Sequence, residues 1–202
     1  MGHKASLLLL LAALASLTFA QSAVAVGIGD QRAVSKPARA AQAPDSPIAP
    51  LSACPGQTDL AAPVDAQEEA MRCMTDYARL HFGLPSLAEA EQLSLSAAGK
   101  SGDILACNSF SHSACGRDFT YWMVASGYLS TQCWRAGENL AWGIGEEGSV
   151  RSIFRAWMRS PGHRQNVLGA FDQIGIALQV GELDGRGGTR VWTQHFGSRC
   201  NT

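Results

Sequence analysis

The sequence predicts an α+β domain in which helices cover a sheet that forms late in the chain. The predicted helical segments come first, before residue 169. Two segments of strand type follow, at 173–180 and 189–196, and the turn-rich stretch 181–188 joins them. Helices on either side of a central polar segment, with strands last, therefore indicate helices packed on a sheet.

Helices are predicted in five segments, and several have a recognisable start. Asp65 with Glu68, and Ser86 with Glu89, have capping-box spacing at the first two. Ser149 is the expected N-cap of the clearest helix, which carries a continuous apolar stripe. That stripe comprises Val150, Ile153, Phe154, Trp157 and Met158. The predicted segments are 65–83, 86–102, 117–127, 148–161 and 161–168.

Residues 1–25 are predicted to be a secretory signal peptide. Lys4 precedes the apolar run 7–14, and small residues occupy 23–25. Cleavage after Ala25 fits best, and cleavage after Ala20 is the alternative. The apolar run is shorter than the roughly 20 residues that cross a bilayer, and no later stretch approaches that length. We therefore expect a secreted, extracellular protein without a transmembrane segment.

The rest of the chain divides into a tail and one domain. Residues 26–52 are rich in Ala, Pro and Ser and show no apolar periodicity, which predicts a disordered linker. Residues 53–202 are the predicted domain. The chain carries 16 basic and 17 acidic side chains, and this near balance gives no indication of a nucleic-acid partner or of an anionic membrane surface.

Six cysteines lie beyond the predicted leader, and an even number in an oxidising compartment indicates disulfides. Proximity along the chain favours two short-range pairs, and the third pair then joins the middle of the chain to its end. The expected pairs are Cys54 with Cys73, Cys107 with Cys115, and Cys133 with Cys200. The sequence has no Cys-x-x-Cys pair, which argues against a zinc ribbon or a thioredoxin-type redox site.

Three short segments each place one acid-base or ligating side chain among small and apolar residues. They are NSFSHSACG with His112, RAGENLAWG with Glu138, and SPGHRQN with His163. No Gly-x-Ser-x-Gly nucleophile motif accompanies them.

The motifs NSFSHS, GENLAWG, SPGHRQNVL, an Ile-Gly strand and VWTQHFG occur in this order. Together they resemble the bacterial branch of the CAP superfamily, the SCP-like extracellular domains related to cysteine-rich secretory proteins, antigen 5 and pathogenesis-related 1 proteins. The likeness covers residues from about 70 to 197. It implies a single-domain α-β-α sandwich with a surface cleft.

In many members this cleft holds two His and acidic side chains that bind a divalent cation. By motif, the resemblance implies His112, Glu138 and His163 as cleft and metal-binding residues. Two imidazoles and one carboxylate match an open zinc site with water in the fourth position. Many relatives add a Glu three residues after the helix Trp, but Ser160 occupies that position here, so any metal is expected to be held more weakly.

Each of these residues also has a purely structural interpretation. Glu138 could accept backbone N–H bonds within a glycine-rich turn, His112 could bond to a neighbouring backbone group, and His163 could lie in solvent. We assign His81 and His195 structural or surface roles, because strand alternation allows His195 to lie on either face of the sheet.

The first functional hypothesis is a secreted, non-enzymatic binding module whose cleft takes a divalent cation, such as zinc, or a small or lipid-like ligand. The second is a hydrolase that uses His112, Glu138 and His163. The third is a disulfide-braced surface or host-interaction module with a vestigial cleft. The sequence does not choose among the ligands, because one fold supports many functions.

Overall fold

Four strands form one sheet in the order β1–β3–β4–β2. The computed structural model describes residues 46–130 and 133–199, and the predicted signal peptide lies outside this range. The strands β3 and β4 form a long antiparallel hairpin, β2 pairs antiparallel with β4, and the short β1 pairs parallel with β3. Their bounds are Ala88–Glu89 for β1, Trp134–Gly143 for β2, Gln173–Leu183 for β3 and Arg186–Arg199 for β4.

Helices cover both faces of this sheet and give three layers. The helices α1, α4 and α5 pack on one face, and α2 with α3 packs on the other. Their bounds are Val64–His81, Glu91–Ala106, Tyr121–Ala125, Val150–Arg159 and Pro161–Val167, in chain order. Two short 3-10 helices lie at Ala114–Gly116 and Gly145–Gly148. The predicted α+β fold, an α-β-α sandwich, is confirmed.

The larger core lies between the sheet and the layer of α1 and α4. The predicted stripe of α4 is buried there against Trp192 and Phe196 of β4. Ser149 is the N-cap of α4, as predicted, and its hydroxyl accepts a hydrogen bond from the Ser152 amide at 3.3 Å. The indole Nε1 of Trp157 donates to the Leu140 carbonyl at 3.1 Å, so this helix is fixed to β2 by both packing and a polar contact.

On the opposite face, α2 lies directly on the backbone of β3. A Cβ atom at Gly175 would clash with the backbone of Leu93 and Ser94 in α2. Glycine at this position therefore permits a closer approach of helix and strand than any other residue would.

The predicted boundaries of two helices are wrong. Residues 88–89, expected in the second helix, instead pair with β3 as β1, and α2 begins at Glu91. The helix continues past Gly99 to Ala106, and the ring of Trp122 occupies the space where a side chain would project at that glycine. The third helix is shorter than 117–127 and covers only Tyr121–Ala125.

The main omission of the sequence analysis is β2. The sequence analysis predicted no strand here and considered a glycine-rich turn around Glu138 as one interpretation, but Trp134–Gly143 is a strand paired with β4 over ten residues. Glycine, Asn and Glu have low strand propensity, yet the pairing with β4 and the helices on both faces outweigh that preference.

The folded domain also includes residues 46–52, which the sequence analysis assigned to the linker. Ala49 is completely buried in the larger core, and Ile48 packs against it. The carbonyl of Ala49 accepts a hydrogen bond from the Arg151 guanidinium of α4 at 2.8 Å. These contacts place the end of the predicted linker on the domain.

Two predicted disulfides are confirmed. Cys54 bonds to Cys73, and Cys107 bonds to Cys115. Cys133 is disulfide-bonded, and its predicted partner Cys200 lies outside the described residues, so the third pair stays a prediction.

Peptide mapping tests that third pair. Digestion of the unreduced protein should release a linked peptide that contains Cys133 and Cys200, and reduction should separate its halves. A linked peptide that joins Cys133 to any other cysteine would contradict the pairing.

Replacement of Trp157 by Ala should lower the free energy of unfolding by about 3 to 5 kcal/mol, because it leaves a cavity in the core and removes the bond to Leu140. Chemical denaturation measures this difference. Arg155→Ala, an exposed position on the same helix, is the control and should change stability by less than about 0.5 kcal/mol. Equal effects of the two variants would show that the stripe does not anchor the helix.

Candidate functional site

Glu138 is the centre of the candidate site. Its side chain is only 2% exposed, yet both carboxylate oxygens have imidazole partners. Oε1 lies 2.6 Å from Nδ1 of His112, and Oε2 lies 2.7 Å from Nε2 of His195. A buried carboxylate is costly unless it is paired and hydrogen-bonded, and these two rings meet that requirement.

His195 reaches Glu138 because the two residues lie opposite each other in the pairing of β2 with β4. Directly opposed side chains of an antiparallel pair share one face of the sheet, which here is the face covered by α2. The ring is completely buried, and its Nδ1 lies 2.8 Å from the hydroxyl of Ser96 in α2.

His112 reaches the carboxylate from a loop that follows α2. The Cys107–Cys115 disulfide closes this loop, and the buried Lys100 ammonium donates to the His112 carbonyl at 2.6 Å. The His112 side chain is 61% exposed. One ring nitrogen therefore faces the buried carboxylate, and the other side of the ring is open to solvent.

The residue after Glu138 projects to the opposite face and ties β2 to α5. Asn139 donates to the His163 carbonyl at 3.1 Å, and Asn166 donates to the carbonyl of Glu138 at 3.0 Å. A Cβ at Gly137 would lie 3.0 Å from the ring of Phe171 and 3.1 Å from the Asn166 side chain. The small residue before Glu138 thus lets α5 approach the strand.

His163 lies in the first turn of α5 and is half-buried. Burial lowers its pKa, and the charge of His112 lowers it further. Its backbone carbonyl is bonded to Asn139, the residue that follows Glu138. Within the described residues, no hydrogen bond or ion pair joins the His163 ring to Glu138.

The charges of the site are set by these contacts. Burial alone would raise the pKa of Glu138, but the hydrogen bonds from His112 and His195 outweigh it and lower the pKa. The hydrogen bond to Glu138 raises the pKa of His112, whereas burial lowers the pKa of His195. The expected state near neutral pH is an ionised Glu138 with a neutral His195 and a readily protonated His112.

The described residues do not form the expected three-ligand metal set. They contain no group of three or more His, Cys, Asp or Glu side chains that could hold a metal ion. Both oxygens of Glu138 are engaged by imidazoles, so its geometry suits a carboxylate that orients His112.

His195 is the site residue that the sequence analysis missed. We assigned it a structural or surface role, and the structure places it in contact with Glu138. Its strand also carries the buried polar residues Thr193 and Gln194, so the sequence pattern did not single out His195, and only the register of an unpredicted strand, β2, identifies its partner.

Ser96, His195 and Glu138 are the residue types of a hydrolase triad in a different arrangement. In that triad the serine bonds to Nε2 and the carboxylate to Nδ1, whereas here Ser96 meets Nδ1 and Glu138 meets Nε2. Ser96 is also completely buried. A substrate therefore has no access to this hydroxyl.

Comparison with known proteins agrees with this architecture. The sequence model of the family described as "Cysteine-rich secretory protein family", CAP, matches residues 73–196. The chain therefore belongs to the CAP family, which confirms the resemblance seen in the sequence.

No helix within the described residues is long and apolar enough to cross a membrane.

One similar protein comes from a bacterium. The chain is 34% identical over 152 residues to the uncharacterized protein YkwD of Bacillus subtilis (strain 168), and the match covers 73% of this chain and 54% of that protein. The chain thus spans about half the length of this relative.

Solved structures share the fold. An extracellular protein with an SCP domain from Bacillus anthracis str. Ames has a TM-score of 0.53 at 25% identity, over 66% of this chain and 40% of its own. An outer surface protein from Borrelia burgdorferi has a TM-score of 0.53 at 19% identity, over 64% of this chain and 90% of its own.

Replacement of Glu138 by Gln should lower the pKa of His112 towards its ordinary value of 6.5, because the new amide has no charge. Nuclear magnetic resonance titration of the imidazole protons measures this shift. Glu147→Gln, which removes the same charge from an exposed position, is the control and should leave the His112 pKa unchanged. An unchanged His112 pKa in the variant would contradict the role of Glu138.

The contact of His112 with Glu138 also makes a contribution to the stability of the fold that depends on pH. Because folding raises the pKa of His112, its protonated ring stabilises the fold below pH 6.5, and this contribution is lost as the pH rises through the folded pKa.

Proposed function

We propose that this CAP-family protein is a secreted binding module whose cleft binds a divalent cation, such as zinc, through the imidazoles of His112 and His163. Glu138 acts as the carboxylate that orients His112, and water completes the coordination. The sequence analysis proposed Glu138 as a third ligand, and the present proposal gives it the orienting role instead.

One observation carries the proposal. The buried Glu138 carboxylate is hydrogen-bonded to Nδ1 of His112, and the rest of this ring is exposed. A carboxylate of this kind recurs behind metal-bound histidines, where it fixes the tautomer and makes the free nitrogen a better donor. With Nδ1 bound to Glu138, Nε2 is the nitrogen of His112 that remains for a ligand.

The two imidazoles would supply part of the ligand set of such a cation. Imidazole suits zinc and other late divalent cations, and the charge coupling between the two rings supports a shared site. A site with two imidazoles and no third protein ligand holds a metal more weakly than a structural zinc site does. A small or lipid-like ligand of the same cleft is the alternative occupant.

A second candidate function is proton transfer during hydrolysis. A base whose ring is oriented by a carboxylate is the arrangement found in general acid-base catalysis, and His112 with Glu138 has that geometry. Ser96 is completely buried, so in this candidate function we assign the role of nucleophile to water.

Zinc titration by calorimetry tests the first proposal. The wild-type protein should bind zinc, and both His112→Ala and His163→Ala should abolish or strongly weaken binding. Glu138→Gln should weaken binding by about 10- to 100-fold, the range expected for a carboxylate behind a ligand. Glu147→Gln removes the same charge from an exposed position beyond β2 and should bind zinc as the wild type does.

Absence of zinc binding to the wild-type protein would overturn the cation proposal. If His112→Ala then also abolished a hydrolytic activity found in a broad esterase and peptidase screen, the second candidate would replace it. Failure of both measurements would favour the module with a vestigial cleft.

A further inference from the structure

A buried chain of hydrogen bonds continues behind Glu138 and is used by neither candidate function. The hydroxyl of Ser96 lies 2.8 Å from Nδ1 of His195, and Nε2 of His195 lies 2.7 Å from Glu138. Ser96 and His195 are both 0% exposed. Neither is able to contact a ligand in solvent, so any influence on the cleft passes through Glu138.

The chemistry of the three groups fixes where the hydrogens lie. An ionised carboxylate only accepts hydrogen bonds, so Nε2 of His195 must carry the hydrogen that Glu138 receives. In a neutral ring the other nitrogen is then an acceptor. The Ser96 hydroxyl therefore donates to Nδ1, and the ring is held as a single tautomer.

We propose that Ser96 and His195 are positioning residues that set the orientation of the Glu138 carboxylate and, through it, the direction in which His112 presents Nε2. His195 holds Oε2, which leaves Oε1 turned towards His112. For its metal readout this inference rests on the proposed function, but the orientation of His112 does not depend on any ligand.

The packing of the domain supports this role. His195 is flanked in the sheet by Glu138 on one side and by Gly175 on the other. The absence of a side chain at Gly175 lets α2 lie against β3, where a Cβ would clash with the backbone beside Leu93. Ser96 follows in the next turn of α2, and this close approach brings its hydroxyl to His195.

The chain offers a matched control for the test. Ser101 is also a buried residue of α2, and its hydroxyl lies 2.8 Å from that of Thr193 in β4. Ser96→Ala and Ser101→Ala each delete one buried hydrogen bond between the same helix and the same strand. Only the first deletion interrupts the chain to Glu138.

The experiment compares the full chain with three variants: Ser96→Ala, Ser96→Thr and Ser101→Ala. Nitrogen-15 imidazole spectra of the metal-free proteins report the tautomers of His195 and His112, and calorimetry with zinc chloride reports affinity. Ser96→Ala should shift the ring nitrogens of both histidines and weaken zinc binding on the order of tenfold. Ser96→Thr, which keeps the hydroxyl, should restore both readouts, and Ser101→Ala should leave both unchanged despite a similar drop in Tm.

The positioning role would be overturned if the His112 spectrum of Ser96→Ala were the same as that of the wild-type protein. Equal spectral changes in Ser96→Ala and Ser101→Ala would also overturn it. If the spectra change as expected but the wild-type protein binds no zinc, the positioning role stands and the proposed function is wrong. If Ser96→Ala does not fold, Ser96→Cys, which keeps the size and weakens the donor, provides the same comparison.

Discussion

The requirement to satisfy one buried negative charge organises the polar interior of this domain. Glu138 lies on a strand that is covered by protein, and its carboxylate would be strongly disfavoured there without partners. His195 from the neighbouring strand and His112 from a loop supply them. This arrangement requires the loop, the strand β4 and the helix α2 to be correctly placed at the same time. The geometry of the site therefore depends on the folding of the whole domain.

The two faces of β2 contact different helices. Glu138 points to the face of α2 and makes the ion pair, whereas Asn139 points to the other face and anchors the first turn of α5 through the His163 carbonyl. Successive side chains of a strand point in opposite directions, so the Glu-Asn pair of the GENL segment joins both helical layers at one place. This holds the first turn of α5 beside the strand that carries Glu138.

The sequence predicted the elements whose residues have a strong local pattern. The apolar stripe of α4 and the alternation in β3 and β4 are such patterns, and two disulfides followed from proximity along the chain. The strand β2 was missed because Gly137, Glu138 and Asn139 have low strand propensity, and its pairing with β4 is a long-range effect. The role of His195 depends on the register of β2, so this role could not be predicted while the strand was missing from the prediction.

The disulfide between Cys107 and Cys115 links the site to the redox state of its surroundings. It closes a short ring around His112, and an open ring would sample many more conformations before the imidazole met Glu138. Assembly of the site is therefore coupled to oxidation. Until these two cysteines have paired, the contact of His112 with Glu138 carries the full entropic cost of closing this loop.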